Sequence, residues 1–600
     1  MAMPATSLAS EARREARDEN APPRGPHLVR ERAPAGWALY REAAWVALQE
    51  AHRPLLLWLR QGWLYRQTLR GPVPDRILFH PADTRMRRLE DADAFIRGRF
   101  RLGGKKLDIR QGSVFDAVLP GDSFAVALHG FDWLRHLEAA GGDLARALAL
   151  KLTQQWVKRF ARFTPFAWRP DIIAERFLNL FAHGRFFLTN SDLVWRSRLF
   201  VSLHNQAQML ARTVEEAPDG LPRLKAAAAL ALSGYCLGEP RHATAGLKRL
   251  GAEIERQILP DGGHVSRSPE ALLEAYRVLA MVQQALDHAG TGIYPPLRGA
   301  LDRMAPMLRF FRMGGGALAV FHGGGENVAR TLEATLDSDD ALGRPLGHAP
   351  YSGYQRLAAG RTLVLFDAGP PPEGAFATAA HAGCLAFEMS AGSNRLIVNC
   401  GMAVGEDDGW NTALRSTPAH STLTIDDMSS AAILSDGMLA RFLGPRLVDG
   451  PVLVETRRSE SPQGVTVEAH HDGYVLPFGV VHQRRMTLSP RGALLSGADR
   501  LIPAGPERRT AKPAKHPFTI RFHIHPDVRL SLAQGGDSVI LKLPNGEGWR
   551  FRCNGGSLAV EESVYFGSGA PRRAEQLVVS GEWLGEAMEC AWLFEQLGSA

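Results

Sequence analysis

The first half of the chain carries apolar residues at three- and four-residue spacing, a pattern typical of amphipathic helices. Between about residues 36 and 310 these stretches end at Gly- or Pro-containing breaks such as Glu239-Pro240 and the turn at 260–263. The stretches with this spacing are 37–59, 144–160, 172–182, 199–217, 221–237 and 243–259. Successive helical hairpins predict a helical toroid or a helical bundle, and the spacing alone does not separate the two.

The hydrophobic period changes after the glycine run at 314–316. Beyond it the apolar runs are short, β-branched or alternating, and bounded by Gly, Pro, Asn or Asp, which predicts strands. The predicted strands are 361–367, 384–389, 395–399, 421–425, 464–469, 480–488, 518–525 and 539–543. Many short strands without long helices between them indicate an antiparallel β-sandwich.

The two patterns together predict an α+β multidomain protein. We place a helical domain at 36–345 and a β-sandwich domain at 346–600, because Gly343, Pro345, Gly347 and Pro350 cluster between them. Residues 1–35 are rich in Ala, Arg, Glu and Pro, and we interpret them as a flexible N-terminal arm. The arm has no apolar segment of the secretory type, which by itself favours a cytoplasmic location.

Composition narrows the class of protein. The 600 residues are 45% hydrophobic and 22% charged, as in a soluble globular chain, and no apolar run approaches the ~20 residues of a transmembrane segment. The five cysteines form no CxxC pair, which excludes a disulfide-dense scaffold and a cysteine zinc site. A net charge of +7 allows an anionic partner, but no basic stripe or module typical of nucleic-acid binding is present. The sequence leaves the oligomeric state open.

Two positions in the helical half are candidates for substrate binding or catalysis. Trp168, beside Arg176, could stack on a sugar ring, although most buried aromatic residues simply pack in a core. His204 and Asn205 lie inside an otherwise apolar helix, where such a pair must be hydrogen-bonded or face a cleft. Either the pair holds a carboxylate and moves protons, or it braces neighbouring helices.

The end of the helical half supplies a basic pair. The turn DGGH at 261–264 leads into RSP at 267–269, where Ser268 is a helix N-cap followed by proline. A capped loop explains the glycines, but it does not explain His264 and Arg267, which we expect at the rim of the helical domain.

Histidine and arginine side chains collect in the second half of the chain. His381 stands at the head of a predicted strand, and Arg415 and His420 share the segment RSTPAHSTL at 415–423. His381 and His420 could ligate zinc with a third residue, although their separation in sequence gives that idea little support. We predict no cofactor.

Strand alternation from 520 to 525 separates an apolar row from a basic row. The apolar row is Ile520, Phe522 and Ile524, and the basic row is Arg521, His523 and His525. The basic row either lines an anion-binding groove or forms a solvated sheet face.

These motifs together resemble the heparinase II/III family of polysaccharide lyases. The resemblance rests on LHGFDWL at 128–134, the DGGH turn with its RSP, HAGCLAFE at 381–388, RSTPAHSTL at 415–423 and RFHIHP at 521–526. It extends from about residue 37 and is strongest at 345–530. It implies an incomplete α/α toroid packed on a β-sandwich, with a substrate cleft between them.

The resemblance also implies a reaction, the β-elimination of uronate-containing polysaccharides. An Asn/His pair in the toroid, a tyrosine, and a histidine from the sandwich perform it in the family, and His204 or Asn205 matches the first group. His381 and His420 match the sandwich histidines. The family Tyr-His pair after the Ser-Pro is Ala271-Leu272 here, and Tyr276 lies one helical turn further on as a substitute.

Further departures from the family concern a second histidine and the metal site. The second family histidine is replaced by Ala379, and the acidic positions of metal-containing relatives are Gly383 and Asn399.

We therefore predict a lyase acting on an anionic, uronate-containing polysaccharide. Its catalytic residues would be His204, Asn205, Tyr276, His381 and His420. Its substrate-binding residues would be Trp168, Arg176, His264, Arg267, Arg415, Arg521 and His525.

Two alternatives remain beside the lyase. One is a catalytically inactive polysaccharide-binding or cell-envelope assembly protein of the same fold. The other is hydrolysis by paired carboxylates, for which Asp261 and Glu326 are the nearby acids. The family resemblance places the protein in the periplasm or cell envelope, whereas the N-terminus favours the cytoplasm.

Overall fold

The computed structural model describes residues 37–189, 191–326, 329–336, 345–403, 405, 408–505, 515–533 and 535–598. It confirms the predicted fold class, with a helical region first and antiparallel sheets after it. The predicted arm, 1–35, lies outside the described residues, as does part of the predicted boundary. Within the described part, no helix combines the length and the apolar content that a bilayer crossing requires.

The helical region contains most of the helices of the chain. They are α1 Trp37–Glu50, α2 Arg53–Gln61, α3 Trp63–Thr68, α4 Leu89–Ile96, α5 Asp122–His129, α6 Leu134–Ala140, α7 Gly142–Phe160, α8 Pro170–His183, α9 Arg185–Leu188, α10 Leu193–Thr213, α11 Leu221–Leu237, α12 Pro240–Gln257, α13 Pro269–Ala289, α14 Pro295–Phe310 and α15 Ala329–Leu336. A small hairpin of β1 Arg99–Leu102 and β2 Lys105–Asp108 interrupts them and was not predicted.

The long helices form an incomplete toroid. Helices α8, α11 and α13 follow one another in contact along the inner side, and α12 packs tightly on α11. Two glycines permit that close approach. A Cβ on Gly234 would lie 2.1 Å from the backbone nitrogen of Ala243, and a Cβ on Gly246 would lie 2.2 Å from that of Ala231.

The second half of the chain forms two large antiparallel sheets. One sheet has the strand order β19-β20-β15-β7-β6-β5-β4-β3, with β8 also paired to β15, and the other has the order β11-β12-β13-β14-β21-β18-β17-β16. The strands are β3 His348–Ala349, β4 Tyr354–Ala359, β5 Thr362–Asp367, β6 Phe387–Ala391, β7 Asn394–Val398, β8 Leu423–Ile425, β9 Ala432–Leu434, β10 Arg446–Val448, β11 Val454–Ser461, β12 Gly464–His471, β13 Val480–Leu488, β14 Leu494–Pro503, β15 His516–Ile524, β16 Arg529–Leu532, β17 Ser538–Lys542, β18 Gly548–Asn554, β19 Ser557–Tyr565, β20 Arg572–Trp583 and β21 Met588–Gln596. Short helices α16 Asp408–Arg415, α17 Gly437–Leu443 and α18 Val475–Phe478 connect some of them.

The two sheets pack face to face through aromatic side chains. Phe387 of the first sheet stacks on Trp592 of the second, with ring centroids 5.6 Å apart, and Phe522 contacts the same tryptophan edge-on. As alternation predicted, Ile520, Phe522 and Ile524 all point into this core. The sandwich therefore has a single continuous interior.

Several predicted bounds are shifted, as at 199–217, where the helix spans Leu193–Thr213. Two predicted elements differ more. The helix predicted at 37–59 is divided between Glu50 and Arg53. The strand predicted at 384–389 begins only at Phe387, because Leu385 has a positive φ of 61° within a turn. His381 consequently lies in a loop and not at the head of a strand.

Candidate functional site

Arg267 joins the helical region to the sandwich. It lies in the loop just before α13, with a φ of 58° that a turn imposes, and its side chain is buried. Its Nε donates to the carbonyl oxygen of Ser352 at 2.8 Å and its Nη1 to that of Pro370 at 2.8 Å. Its Nη2 forms an ion pair with Asp367 at the end of β5. One guanidinium therefore ties a toroid loop to the sheet.

A histidine shares the same carboxylate. His322 Nδ1 accepts a hydrogen bond from the backbone N–H of His381 at 3.2 Å, so the proton of the neutral ring lies on Nε2, which donates to Asp367 at 3.1 Å. Burial alone would raise the pKa of Asp367, but Arg267 and His322 outweigh it and lower that pKa below its ordinary value. Asp367 is therefore an ionised carboxylate at neutral pH.

His381 and His420 lie next to this pair. Their rings are 5.2 Å apart and edge-on, and both are buried. The Nε2 atom of each lacks a hydrogen-bond partner within the described residues. Burial lowers the pKa of His381 well below its ordinary value and that of His420 to about 3, so both rings are neutral.

Arg415 holds the loop that carries His381. Its Nε donates to the carbonyl oxygen of Ala380 at 2.9 Å and its Nη2 to that of Ala377 at 3.1 Å. Burial without a carboxylate partner lowers the pKa of Arg415 to about 10. This arginine positions a loop, and its donors face the protein.

We call five of these residues the Arg267 cluster: Arg267, His322, Asp367, His381 and His420. A cavity of about 480 Å³ adjoins it between the toroid loop and the sandwich. Val265 and Arg267 line it from the helical side, and Tyr351, Thr456 and Arg458 line it from the sandwich. A smaller pocket, lined by His322 and His381 among others, lies on the other side of Arg267.

His204 and Asn205 are not joined to this cluster by any contact among the described residues. His204 is buried on α10, where its Nε2 would lie 2.7 Å from a Cβ placed on Gly71, and its electrostatic neighbours are Glu239 and His242. All of these lie in the helical region. Asn205 is half-buried on the same helix. The structure therefore does not bring the toroid pair and the sandwich histidines together.

Trp168 and Arg176 belong to the interior of the helical region. Trp168 Nε1 donates to the carbonyl oxygen of Phe160 at 2.8 Å. Arg176 Nε donates to Gln206 Oε1 at 2.8 Å, and its guanidinium lies over the Trp156 ring at 4.2 Å. Neither side chain has surface to offer to a sugar, because each is about 2% exposed or less.

His264 and Tyr276 are likewise enclosed. The ring nitrogens of His264 lie 2.7 Å from Ser266 Oγ and 3.0 Å from Gln257 Oε1, and burial lowers its pKa to about 4. Tyr276 is buried in the middle of α13. Leu272, at one of the family Tyr-His positions, is fully buried on the same helix.

The basic row forms a separate junction, with Arg521 and His523 on β15 and His525 directly after it. Arg521 Nη1 donates to Thr424 Oγ1 at 2.8 Å, and His523 is buried with its Nε2 donating to the carbonyl oxygen of Pro418 at 2.9 Å. His525 Nε2 lies 3.5 Å from Glu326, which comes from the helical side of the chain. The row is therefore covered by protein and is not a solvated sheet face.

Sequence reasoning missed Asp367 and did not connect His322 with it. A signal was present, because Asp367 ends a strand that is otherwise entirely apolar after Thr362, and a carboxylate in that place needs a buried cation. Glu388 gives the same signal on β6. It accepts from the backbone N–H of Val320 and pairs with Arg395 at 3.1 Å.

A further polar network joins three helices of the toroid. Lys225 Nζ lies 2.8 Å from Glu175 and 3.4 Å from Glu274, so one lysine links three helices. Arg85, in the segment that crosses these helices, donates to Asn179 Oδ1 at 2.7 Å. These side chains stay partly exposed, with 16% of the Lys225 side chain, 25% of Glu175 and 23% of Glu274 accessible.

The residues present do not fit the zinc site of metal-containing relatives. The Asn399 side chain is already engaged, because its Oδ1 accepts from the backbone N–H of Ser421 at 3.1 Å. Gly383 supplies no ligand atom, and a Cβ there would lie 3.1 Å from the His420 ring, which would have to shift slightly to admit a side chain. Among the described residues, no three His, Cys, Asp or Glu side chains are grouped to hold a metal ion.

Comparison with known proteins gives the family. Residues 341–593 match the family model described as Heparinase II/III-like, C-terminal. Over 532 residues the chain is 34% identical to "FtsZ-localized protein C" of Caulobacter vibrioides (strain NA1000 / CB15N), a match that covers 88% of this chain and 91% of that protein. The chain belongs to the heparinase II/III-like family.

Solved structures of lyases share the fold of this heparinase II/III-like protein. Heparinase III superimposes with a TM-score of 0.68 at 13% identity, covering 96% of this chain and 93% of its own. A mutant of the heparan sulfate lyase HepC from Pedobacter heparinus gives a TM-score of 0.59 at 16% identity, covering 94% and 91%. At these identities the likeness concerns the fold and not the activity.

Proposed function

We propose that this protein is a non-catalytic member of the heparinase II/III-like family that assembles with the FtsZ division machinery at the cell envelope. The relative at 34% identity, which is matched over nearly its whole length, carries a name that refers to FtsZ and not to a lyase. The observation that supports the loss of catalysis is that the Arg267 guanidinium has no donor left for a substrate. All of its nitrogens are engaged by Asp367 and by backbone carbonyls of the sandwich.

β-Elimination needs a cation or donor for the uronate carboxylate, a base and an acid. Arg267 could neutralise a uronate only by releasing Asp367, and Arg415 donates to backbone oxygens. The family Tyr-His pair is Ala271-Leu272, and Leu272 is sealed in the core. These features favour a structural role for the Arg267 cluster, which would hold the two halves of the protein together and would not catalyse a reaction.

One observation keeps lyase activity as a second candidate. His381 and His420 are neutral imidazoles whose Nε2 atoms have no partner among the described residues, and a neutral imidazole is a base. An anionic polysaccharide bound near the cavity of about 480 Å³ would meet them only if the Arg267 cluster opened. An anionic glycan is therefore the ligand of the second candidate function, whether the protein cleaves the glycan or only binds it.

The proposal also concerns location. A protein that works beside FtsZ must lie on the FtsZ side of the membrane, which favours the cytoplasm over the periplasm. A fluorescent fusion expressed at native level tests this directly. A ring or band that coincides with FtsZ is expected, and a uniform periplasmic signal would contradict the proposal.

The biochemical test separates assembly from catalysis. The purified chain is incubated with a panel of uronic-acid glycans, and the ultraviolet absorbance of the unsaturated product is followed. In parallel, co-sedimentation with FtsZ polymers measures assembly. We expect FtsZ binding and no unsaturated product. Product formation that His420→Ala abolishes, in a variant that keeps its fold by circular dichroism, would establish the lyase instead.

A further inference from the structure

The cavity of about 480 Å³ between the two halves of the protein carries a positive charge balance. Its volume lies within the range of small-ligand pockets, which is about 300–1,000 Å³. The loop between α12 and α13, the β3–β4 hairpin, the segment after β5, and β11 all contribute to its lining. Arg267, Arg458 and His348 are among the lining residues, and none of those that the structure describes is an aspartate or a glutamate. Such a lining favours an anion.

Arg458 of β11 supplies a cation that is fixed in place. Its Nη1 donates to the carbonyl oxygens of Gly347 and Arg356 at 2.9 and 3.1 Å, which sets the plane of the guanidinium. A Cβ on Gly347 would lie 2.9 Å from Nη2, so any other residue at this position would displace the group. The guanidinium is therefore positioned before any ligand arrives, which lowers the entropic cost of binding.

The other edge of this guanidinium has one weakly held partner. Nε and Nη2 both donate to a single oxygen, Glu460 Oε1, at 3.1 and 2.8 Å. The Glu460 side chain is 67% exposed, and exposed ion pairs are weak because water screens them. Two neighbouring guanidinium donors match the oxygens of a phosphate or a carboxylate. An incoming oxyanion can therefore replace Glu460 at little cost.

Gln355 adds a donor that the described protein groups do not use. This residue lies on β4 and is only 8% exposed, and its Oε1 faces Arg458 Nη1 at 3.5 Å. The contact orients the amide, and Nε2 forms no hydrogen bond recorded within the described ranges. His348 is the cross-strand partner of Gln355, so the two side chains share one face of the hairpin. In a side chain so enclosed, a free amide N–H indicates an acceptor supplied from outside.

The free donors favour a phosphate over a carboxylate. They are the Nε and Nη2 of Arg458, the Nε2 of Gln355 and the hydroxyl of Tyr351, which lies at the exposed rim of the cavity. A phosphate monoester presents three strong acceptor oxygens to such a set, whereas a carboxylate presents two.

From these observations we propose that the cavity binds a small phosphate ester, with its phosphoryl group on Arg458 and Gln355 and its remaining atoms between the two halves of the protein. The site is separate from the sandwich histidines, because neither His381 nor His420 lines the cavity. The inference is independent of assembly with FtsZ and of glycan cleavage.

Calorimetry and thermal melting of the full chain test the proposal. The probes are inorganic phosphate, glucose 6-phosphate, glucuronate and glucose, so that the anionic group changes while the sugar ring is kept. We expect glucose 6-phosphate to bind and to raise the melting temperature, because a ligand of the folded state stabilises that state. Inorganic phosphate should compete with it. Glucuronate should bind about tenfold more weakly, and glucose should give no shift.

Variants of β11 assign the binding to the guanidinium edge. Arg458→Gln should weaken glucose 6-phosphate binding about tenfold or more, because charge-assisted hydrogen bonds are lost. Glu460→Gln should tighten it about threefold, because the competing carboxylate is gone. The matched controls are Arg457→Gln and Glu455→Gln, which make the same charge changes on the opposite face of the strand and should alter binding less than about twofold.

Three results would overturn the proposal. The first is a folded chain that binds neither inorganic phosphate nor glucose 6-phosphate. The second is binding that Arg458→Gln leaves unchanged or that Glu460→Gln weakens, and the Glu460 variant decides alone if Arg458→Gln does not fold. The third is glucuronate binding as tight as that of glucose 6-phosphate, which would make the ligand a carboxylate.

Discussion

Arg267 and Asp367 form a buried ion pair across one hundred residues of sequence, and the pair joins the toroid to the sandwich. The arginine is 7% exposed and the aspartate 1% exposed, so neither charge is solvated by water. Burial by itself would lower the pKa of Arg267, but Asp367 outweighs it and raises that pKa above its ordinary value. The two halves of the protein are thus held together by a charge pair that is costly to break.

Removing one partner should destabilise the protein strongly. Arg267→Ala leaves the buried Asp367 carboxylate with only neutral donors, His322 and the backbone N–H of Gly369, among its recorded hydrogen bonds in the described part of the chain. We expect the free energy of unfolding to fall by about 3–5 kcal/mol. Urea denaturation followed by circular dichroism measures it. Arg521→Ala is the control, because its partner Asp427 is largely exposed and the expected loss is below about 1 kcal/mol. Equal losses in the two variants would contradict the role assigned to Arg267.

Glycine at the contact of α11 and α12 should be essential. In Gly246→Ala the new methyl group would meet the backbone of Ala231, so the helices must separate at a cost of about 1–3 kcal/mol or more. Gly299→Ala is the matched control on α14. Its methyl group comes no closer than 3.4 Å to the nearest atom, and alanine favours the helix by up to about 1 kcal/mol. Thermal melting should therefore move in opposite directions for the two variants.

Buried neutral histidines should make the protein sensitive to mild acid. Burial lowers the pKa of His523 to about 4, whereas an unfolded histidine titrates near 6.5. Between these two pKa values the unfolded state binds a proton that the folded state does not, which lowers the free energy of unfolding. The protein is therefore unaffected by His523 above about pH 6.5 and loses stability as the pH falls towards 4. The loss for His523 is on the order of 3 kcal/mol.

The histidine effect can be isolated by substitution. His523→Gln keeps an amide donor for the carbonyl of Pro418 but does not titrate, so the urea midpoint should fall less steeply between pH 7 and pH 5. Gln483→Ala, which removes a partly buried side chain that carries no titrating group, should leave the slope unchanged. A wild-type midpoint that is flat over this range would contradict the prediction.

The lysine inside the toroid should be required for its inner helices to pack. Among the described residues, Lys225 is the one cation whose ion pairs bridge Glu175 and Glu274. Lys225→Met leaves the two carboxylates close together with one cation fewer, although Arg85 stays 4.0 Å from Glu175 and Arg277 stays 3.2 Å from Glu274. We expect a loss of about 3–5 kcal/mol in the free energy of unfolding, measured by urea denaturation at pH 7. Because protonation relieves the repulsion, the loss should shrink as the pH approaches 4. A loss independent of pH would indicate a packing defect instead.

Much of the architecture could be predicted because it follows from local periodicity. The helix at Leu221–Leu237 and the strand at Val480–Leu488 match their predicted bounds, since each has a clear apolar period and a glycine, proline or polar break at its ends. The strand predicted at 384–389 lies instead at Phe387–Ala391, because Leu385 adopts a positive φ within a turn. Leucine does not favour a positive φ, so its residue type gives no sign of the turn.

The site was harder to predict, because its members come together only through tertiary contacts. The sequence singled out Arg267, His381 and His420, which the structure does bring together, but it also grouped His204 and Asn205 with them. It also assigned Arg176 to substrate binding, although a buried arginine satisfied by Gln206 and backbone oxygens looks identical in sequence.

The sequence by itself determined the class of fold, the order of its two halves and the absence of the family Tyr-His pair, because periodicity and residue identity are local properties. Only the tertiary structure decided that Arg267 is engaged by Asp367 and that Trp168 and Arg176 are buried in the helical region. Those outcomes depend on which distant surfaces pack together and exclude water, and no short stretch of residues contains that information.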